Sequence, residues 1–211
     1  MPAVLVVILW AALSIVLSGL GLFRSSPGGL PLAFMAAVVA PPAIFGLAYA
    51  QSSRVRDYAL GLDLRLLTAV QAWRVIGGMF LVLMTFGLVP RVFAWPAGVG
   101  DLIVGGYAPF VLVALARGAP GWRRQVVLLN LLGLLDLVGA IGTGILSGTS
   151  PIGVLREQAT SDVFQQLPLS IIPAFLVPAW IIAHIISLMQ LRRADPAAQV
   201  PLFESQSSHS R

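Results

Sequence analysis

Six polar side chains interrupt otherwise apolar runs: Gln71, Arg74, Asp101, Asn130, Asp136 and His184. An ionised group in bilayer hydrocarbon costs about 3 kcal/mol even on insertion scales, so each should face protein, water or a ligand and have a partner. Gln71 and Arg74 stand three positions apart and share a helix face. Arg74 lies about nine residues into its apolar run, roughly 12 to 14 Å deep at 1.5 Å per residue. Asp136 lies at a similar depth in a later run that starts from the same side. A buried Arg74–Asp136 pair is the simplest way to hold both charges, either as a structural lock or as the lining of a substrate or proton route. The planar guanidinium fork also suits bidentate capture of a carboxylate or phosphate.

Asp101 follows Pro96, a suitable first helical residue, which places it about one and a half turns inside the outer end of its helix. There the N-terminal helix field and nearby water favour the carboxylate, as a solvated group or as a residue of an external mouth. His184 follows Trp180 by one turn, after Pro173 and Pro178, which should bend the helix. An imidazole at this depth can hydrogen-bond, shuttle a proton, meet a quinone carbonyl or ligate haem iron. With His209 in the tail, a two-histidine haem would need His184 from two subunits or another second ligand. Asn130 should approach His184 in height. Six positions separate it from Asp136, about 240 degrees around a helix, so the two do not share one stripe. Hydrogen bonding between helices is its simplest role.

Six apolar segments must position these groups, near 2–23, 31–50, 66–88, 95–116, 125–146 and 168–191. Each approaches the roughly 20 residues a helix needs to cross about 30 Å of hydrocarbon. The chain is 58% hydrophobic and only 10% charged, against roughly 25% charged in soluble domains, so the expected fold is an all-α polytopic membrane bundle. The net charge of +5 comes from scattered arginines, with no lysine, which argues against a nucleic-acid surface. The absence of cysteine excludes thiolate chemistry and disulfides, and no metal site is read. Loop arginines divide unevenly. Arg54, Arg56, Arg65, Arg117, Arg123, Arg124, Arg192 and Arg193 fall at one end, and Arg24, Arg91 and Arg156 at the other. Both termini are expected on the cytoplasmic side, in a bacterial inner (plasma) membrane.

Residues 1–191 form the expected six-helix domain, and 192–211 a flexible polar tail. The stretch 51–65 reads as a short interfacial helix or an extension of the third span, and 25–29 as a helical-hairpin turn. The connection 147–168 has room for a short amphipathic helix around 154–166. Pro41 and Pro42 interrupt the second span. Gly98, Gly100, Gly105 and Gly106 lack the strand and spacing of a dinucleotide fingerprint. With Gly77, Gly78 and Gly133 they predict close packing of spans three to five.

The polar cluster points first to a small transporter or permeation protein for a proton or small polar or anionic solute, possible as a homodimer. Arg74, Asp136, Asp101, Gln71 and Asn130 would line its path. A membrane redox protein holding haem or quinone through His184 and Trp180 is one alternative. A structural subunit of a membrane complex, with the lipid bilayer and another membrane protein as partners, is the other.

Overall fold

A computed structural model describes residues 2–26 and 28–193, which fold as an all-α bundle. Among the described residues, five helices are long and apolar enough to cross a membrane: α2 (Leu32–Gln51), α4 (Leu64–Thr85), α5 (Arg91–Arg117), α6 (Trp122–Leu146) and α7 (Ile172–Arg193). α1 (Pro2–Gly19) is shorter, and α3 (Ser53–Leu60) lies between α2 and α4. Large apolar side chains face outward at mid-span, with Phe110 72%, Leu135 70% and Val138 65% exposed. Outward apolar faces of this extent suit lipid and not water.

α1 ends four residues before the predicted boundary at 23, where the chain turns through Gly21 at φ 71° and Gly28 at φ 72°. Left-handed backbone of this kind favours glycine. α1 rests on the start of α7: Ser14 Oγ donates to the Ala174 carbonyl, Ser18 and Ser170 share a hydrogen bond, and Trp10 meets Phe175 edge-on at 4.9 Å.

The stretch 51–65 holds a separate short helix, α3, and the first two residues of α4. Ser52 caps α3 by accepting from the Val55 amide, and Asp63 caps α4 by accepting from the Arg65 amide. Gln190 of α7 donates to the carbonyls of Ala59, Leu60 and Leu62, satisfying groups left open where α3 ends. This contact closes the arginine-rich end of the bundle.

The opposite end is closed by the connection after α6. Its expected amphipathic helix at 154–166 is replaced by turns and one 3₁₀ turn, Ser161–Gln165. The weak apolar patterning leaves side chains to set this geometry. Asp162 accepts from the Thr149 amide, Thr160 Oγ1 and Gln165 Nε2, while Gln165 Oε1 accepts from the Ser25 amide and hydroxyl.

Glu157 accepts from the amides of Arg91 and Val92 at 2.9 and 3.0 Å and so caps α5. The cap combines hydrogen bonds with a favourable charge at the helix N-terminus. Glu157→Ala should cost about 1 kcal/mol, read as a melting-point fall of roughly 2 to 4 °C in nanodiscs. Glu157→Gln, which keeps acceptor oxygens, should fall less. Equal melting of Glu157→Ala and wild type would show the cap to be energetically idle.

α5 starts at Arg91, directly after Pro90, so Pro96 is an internal residue and not the first helical one. The buried stripe Ala94, Ala97, Asp101, Val104, Ala108 and Val111 repeats at three- and four-residue steps and packs against α4 and α6. α7 opens with a π-helical turn over Ile172–Leu176 that contains Pro173, then continues as α-helix through Arg193. The helix therefore includes the first two residues of the predicted tail; residues 194–211, His209 among them, lie outside the described residues.

Candidate functional site

The middle of α4 is wound as a 3₁₀-helix over Val70–Gly78. With three residues per turn, side chains at i and i+3 eclipse. Thr68, Gln71, Arg74, Gly77 and Phe80 accordingly form one buried row. The spacing of Gln71 and Arg74 showed part of this row. The same three-residue spacing in the sequence extends it to Thr68, Gly77 and Phe80.

Arg74 is 0% exposed and stands at the meeting point of four helices. Its Nε donates to Asp101 Oδ1 of α5 at 2.7 Å, and its Nη2 donates to Asp136 Oδ2 of α6. Nη1 donates to the Gly133 carbonyl at 3.1 Å and faces His184 Nε2 of α7 at 3.4 Å. The Trp180 ring lies 5.7 Å from the guanidinium carbon, within cation–π range. The expected Arg74–Asp136 pair is present, and Asp101 completes it as a second carboxylate.

Asp101 departs from its expected surroundings. Because α5 begins at Arg91, Asp101 lies ten positions into the helix, about 15 Å from its start at 1.5 Å per residue. It is 7% exposed and ion-paired, so it is neither a capping group nor a solvated group at the rim.

His184 extends the cluster toward the arginine-rich end. Asn130 Nδ2 donates to the Val126 carbonyl, which leaves Oδ1 to accept from His184 Nδ1 at 2.8 Å. The ring then presents its Nε2 lone pair to Arg74. Both ring nitrogens thus face a protein partner. Trp180 Nε1 is likewise occupied, donating to the Val70 carbonyl at 3.3 Å. Gln71 lies on the same row as Arg74 but is not bonded to it: Nε2 reaches the Leu67 carbonyl at 3.5 Å, and the buried Oε1 has no partner among the described residues.

Four glycines make room for these side chains. A Cβ on Gly77 would overlap the Asp101 carboxylate, one on Gly100 the Asp136 carboxylate, and one on Gly133 the His184 ring. At Gly105 the backbone of Arg74 and Val75 passes at contact distance. The glycines thus admit charged groups between helices, beyond the close packing their composition predicts.

Both carboxylates also border a cavity of about 100 Å³, lined by apolar side chains of α2, α6 and α7 and by the connection Ser147–Pro168 at its far end. Asp101 and Trp180 border a second cavity, about 230 Å³, between α4 and α7. The first joins the ionic centre to the loop end of the bundle, where Ser150, Asp162 and Gln165 form part of its wall.

These features define a multi-helix membrane-spanning protein with a charged cluster packed inside the bundle. The chain belongs to the family described as Domain of unknown function (DUF8737), whose model matches residues 31–192 and so includes every member of the cluster while leaving out α1. No curated protein and no solved structure matches the chain.

Proposed function

We propose that the protein is a small membrane transporter or permeation protein in which the cluster around Arg74 carries an exchangeable proton. The observation that carries this reading is a charge imbalance: one guanidinium serves two carboxylates, and both carboxylates border a cavity. In a low-dielectric interior an uncompensated charge is costly, so the excess negative charge is balanced by a cation. Both carboxylates border the cavity, and on this reading that is the side on which the proton is exchanged. His184 and Asn130, on the other side of Arg74, continue the hydrogen-bonded chain toward the arginine-rich end.

The guanidinium fork is occupied by carboxylates of the chain itself, which favours a cationic cargo over the anionic solute also considered. The hydrogen bonds on both His184 nitrogens weigh against a haem or quinone role. Assembly with another membrane protein gains no specific support, and the cluster is complete within one chain, so the reading does not require a homodimer. The arginine distribution, eight residues at one end of the bundle against three at the other, supports cytoplasmic termini in a bacterial plasma membrane and a cavity on the opposite side.

Proteoliposomes loaded with a pH-sensitive dye, with a potassium diffusion potential imposed, test the reading. The wild type should acidify or alkalinise the lumen faster than empty liposomes, and Asp136→Asn should lower that rate at least tenfold while eluting as a monodisperse peak. A wild-type rate equal to that of empty liposomes, with verified incorporation, would remove the proton-carrying role.

A further inference from the structure

The cavity beside the ionic centre has walls of unusual composition. Three carboxylates, Asp101, Asp136 and Asp162, border it, and among the described residues no arginine or histidine does. The remaining wall is predominantly apolar and rich in aromatic rings. Phe80, Phe93 and Phe164 meet with centroids 4.8 to 5.6 Å apart, and Trp180 lies near the charged floor. Each floor carboxylate spends one oxygen on Arg74, and its other oxygen packs against a glycine of a neighbouring helix, Gly77 for Asp101 and Gly100 for Asp136, where no side chain covers it.

Ser150 supplies an independent observation. The residue is 6% exposed and borders the cavity, yet its hydroxyl has no hydrogen-bond partner among the described residues. A buried hydroxyl left without a partner costs about 1 to 3 kcal/mol, so such a group marks the place of a missing polar neighbour.

We infer that this cavity is a binding site for a small organic ammonium ion, its cationic head against Asp136 and Asp101 and its apolar body among the phenylalanines. The inference rests on the transport reading and gives the class of cargo. An inorganic cation is a poor fit, because a hard ion seeks six or more oxygen ligands and these walls are mostly hydrocarbon. An ammonium on an apolar body matches both halves of the cavity, and aromatic faces attract it further. The volume of about 100 Å³ is about two thirds of the roughly 150 Å³ apolar cavity that accommodates benzene, so one ring with a short amine is the largest body to try.

Equilibrium dialysis of protein in nanodiscs, with protein-free nanodiscs subtracted, measures the binding of benzylamine, benzyl alcohol and benzoate. Benzylamine should bind saturably and at least tenfold more tightly than benzyl alcohol, and benzoate should not bind. Asp136→Asn should weaken benzylamine at least tenfold. Ala140→Phe, which fills the cavity without altering the ionic cluster, should abolish saturable binding. Equal affinity for amine and alcohol, or benzylamine binding unchanged in Ala140→Phe, would overturn the site, and Ala140→Phe keeps the test valid should Asp136→Asn fail to fold. Proton flux without amine binding would remove the amine and leave the transport reading; amine binding without flux would do the reverse.

Discussion

Arg74→Leu is expected to be the most damaging single substitution in the chain, lowering the yield of monodisperse protein and the melting temperature more than loss of either carboxylate. Arg74 is fully buried and holds Asp101 and Asp136 at once. Removing one partner of a buried ion pair costs about 3 to 5 kcal/mol, mostly because the remaining charge stays buried and unpaired. Here two carboxylates are stranded. The Gly133 carbonyl and His184 Nε2 also lose a donor. Leucine keeps only the aliphatic part of the side chain, so the buried space vacated by the guanidinium adds to the loss.

The same reasoning predicts a rescue. The combined variant Arg74→Leu, Asp101→Asn, Asp136→Asn removes all three charges together, and replacing a buried ionic group by neutral residues of similar size is often close to neutral for stability. Its melting temperature should recover most of the loss seen in Arg74→Leu alone. Melting in nanodiscs and size-exclusion profiles read the stability side, and dye-loaded proteoliposomes read proton flux. A recovered fold without flux separates the role of the cluster in transport from its role in packing. A triple variant as unstable as Arg74→Leu would mean that hydrogen-bond geometry, and not charge balance, holds the four helices together. Normal flux in a folded triple variant would remove the cluster from the transport path.

Much of this arrangement was legible before the fold. The all-α membrane architecture followed from apolar segment lengths, and the Arg74–Asp136 pair followed from matched depth in two runs that start from the same side. Asp101 was misplaced because either of two prolines can open a helix. Pro96 fits the first-turn preference, but Pro90 with the Glu157 cap starts α5 earlier and carries Asp101 to mid-span. Spacing alone also does not distinguish the 3₁₀ winding of α4, since positions three apart lie near one another on an α-helix as well. The encounter of His184 with Arg74 depends on which helices pack together, a long-range property that no local pattern encodes. The unpatterned connection after α6 takes its shape from individual Asp, Glu and Gln side chains, which a periodicity search for a helix passes over.

The glycines give the second large effect, and it depends sharply on position. Exchange of glycine for alanine inside an exposed helix normally stabilises by about 1 kcal/mol, because alanine loses less backbone freedom on folding. Gly106 and Gly139 should behave in this way, since a Cβ at either site meets nothing within 4 Å. Gly100 and Gly133 should do the opposite. At Gly100 the new methyl would overlap the Asp136 carboxylate, and at Gly133 it would overlap the His184 ring and come within 3.0 Å of Arg74 Nη1. Neither obstacle is a loose side-chain end: the carboxylate is tied to Arg74, and the imidazole is held between Arg74 and Asn130. Overpacking in a well-packed interior costs about 1 to 3 kcal/mol, and displacement of an ion pair in a low-dielectric interior adds to it. Gly100→Ala and Gly133→Ala should therefore melt well below wild type, while Gly106→Ala and Gly139→Ala melt at or slightly above it. Gly133→Ala carries the sharper test, because its methyl presses on His184 and Arg74 while leaving the Arg74–Asp101 contact unobstructed. If charge balance at Asp101 and Asp136 governs proton flux, Gly100→Ala should reduce flux more than Gly133→Ala at matched folded protein. If the His184–Asn130 segment is an obligatory part of the route, the two should reduce it equally. Flux equal to wild type in both would detach the packing of the cluster from its proposed activity.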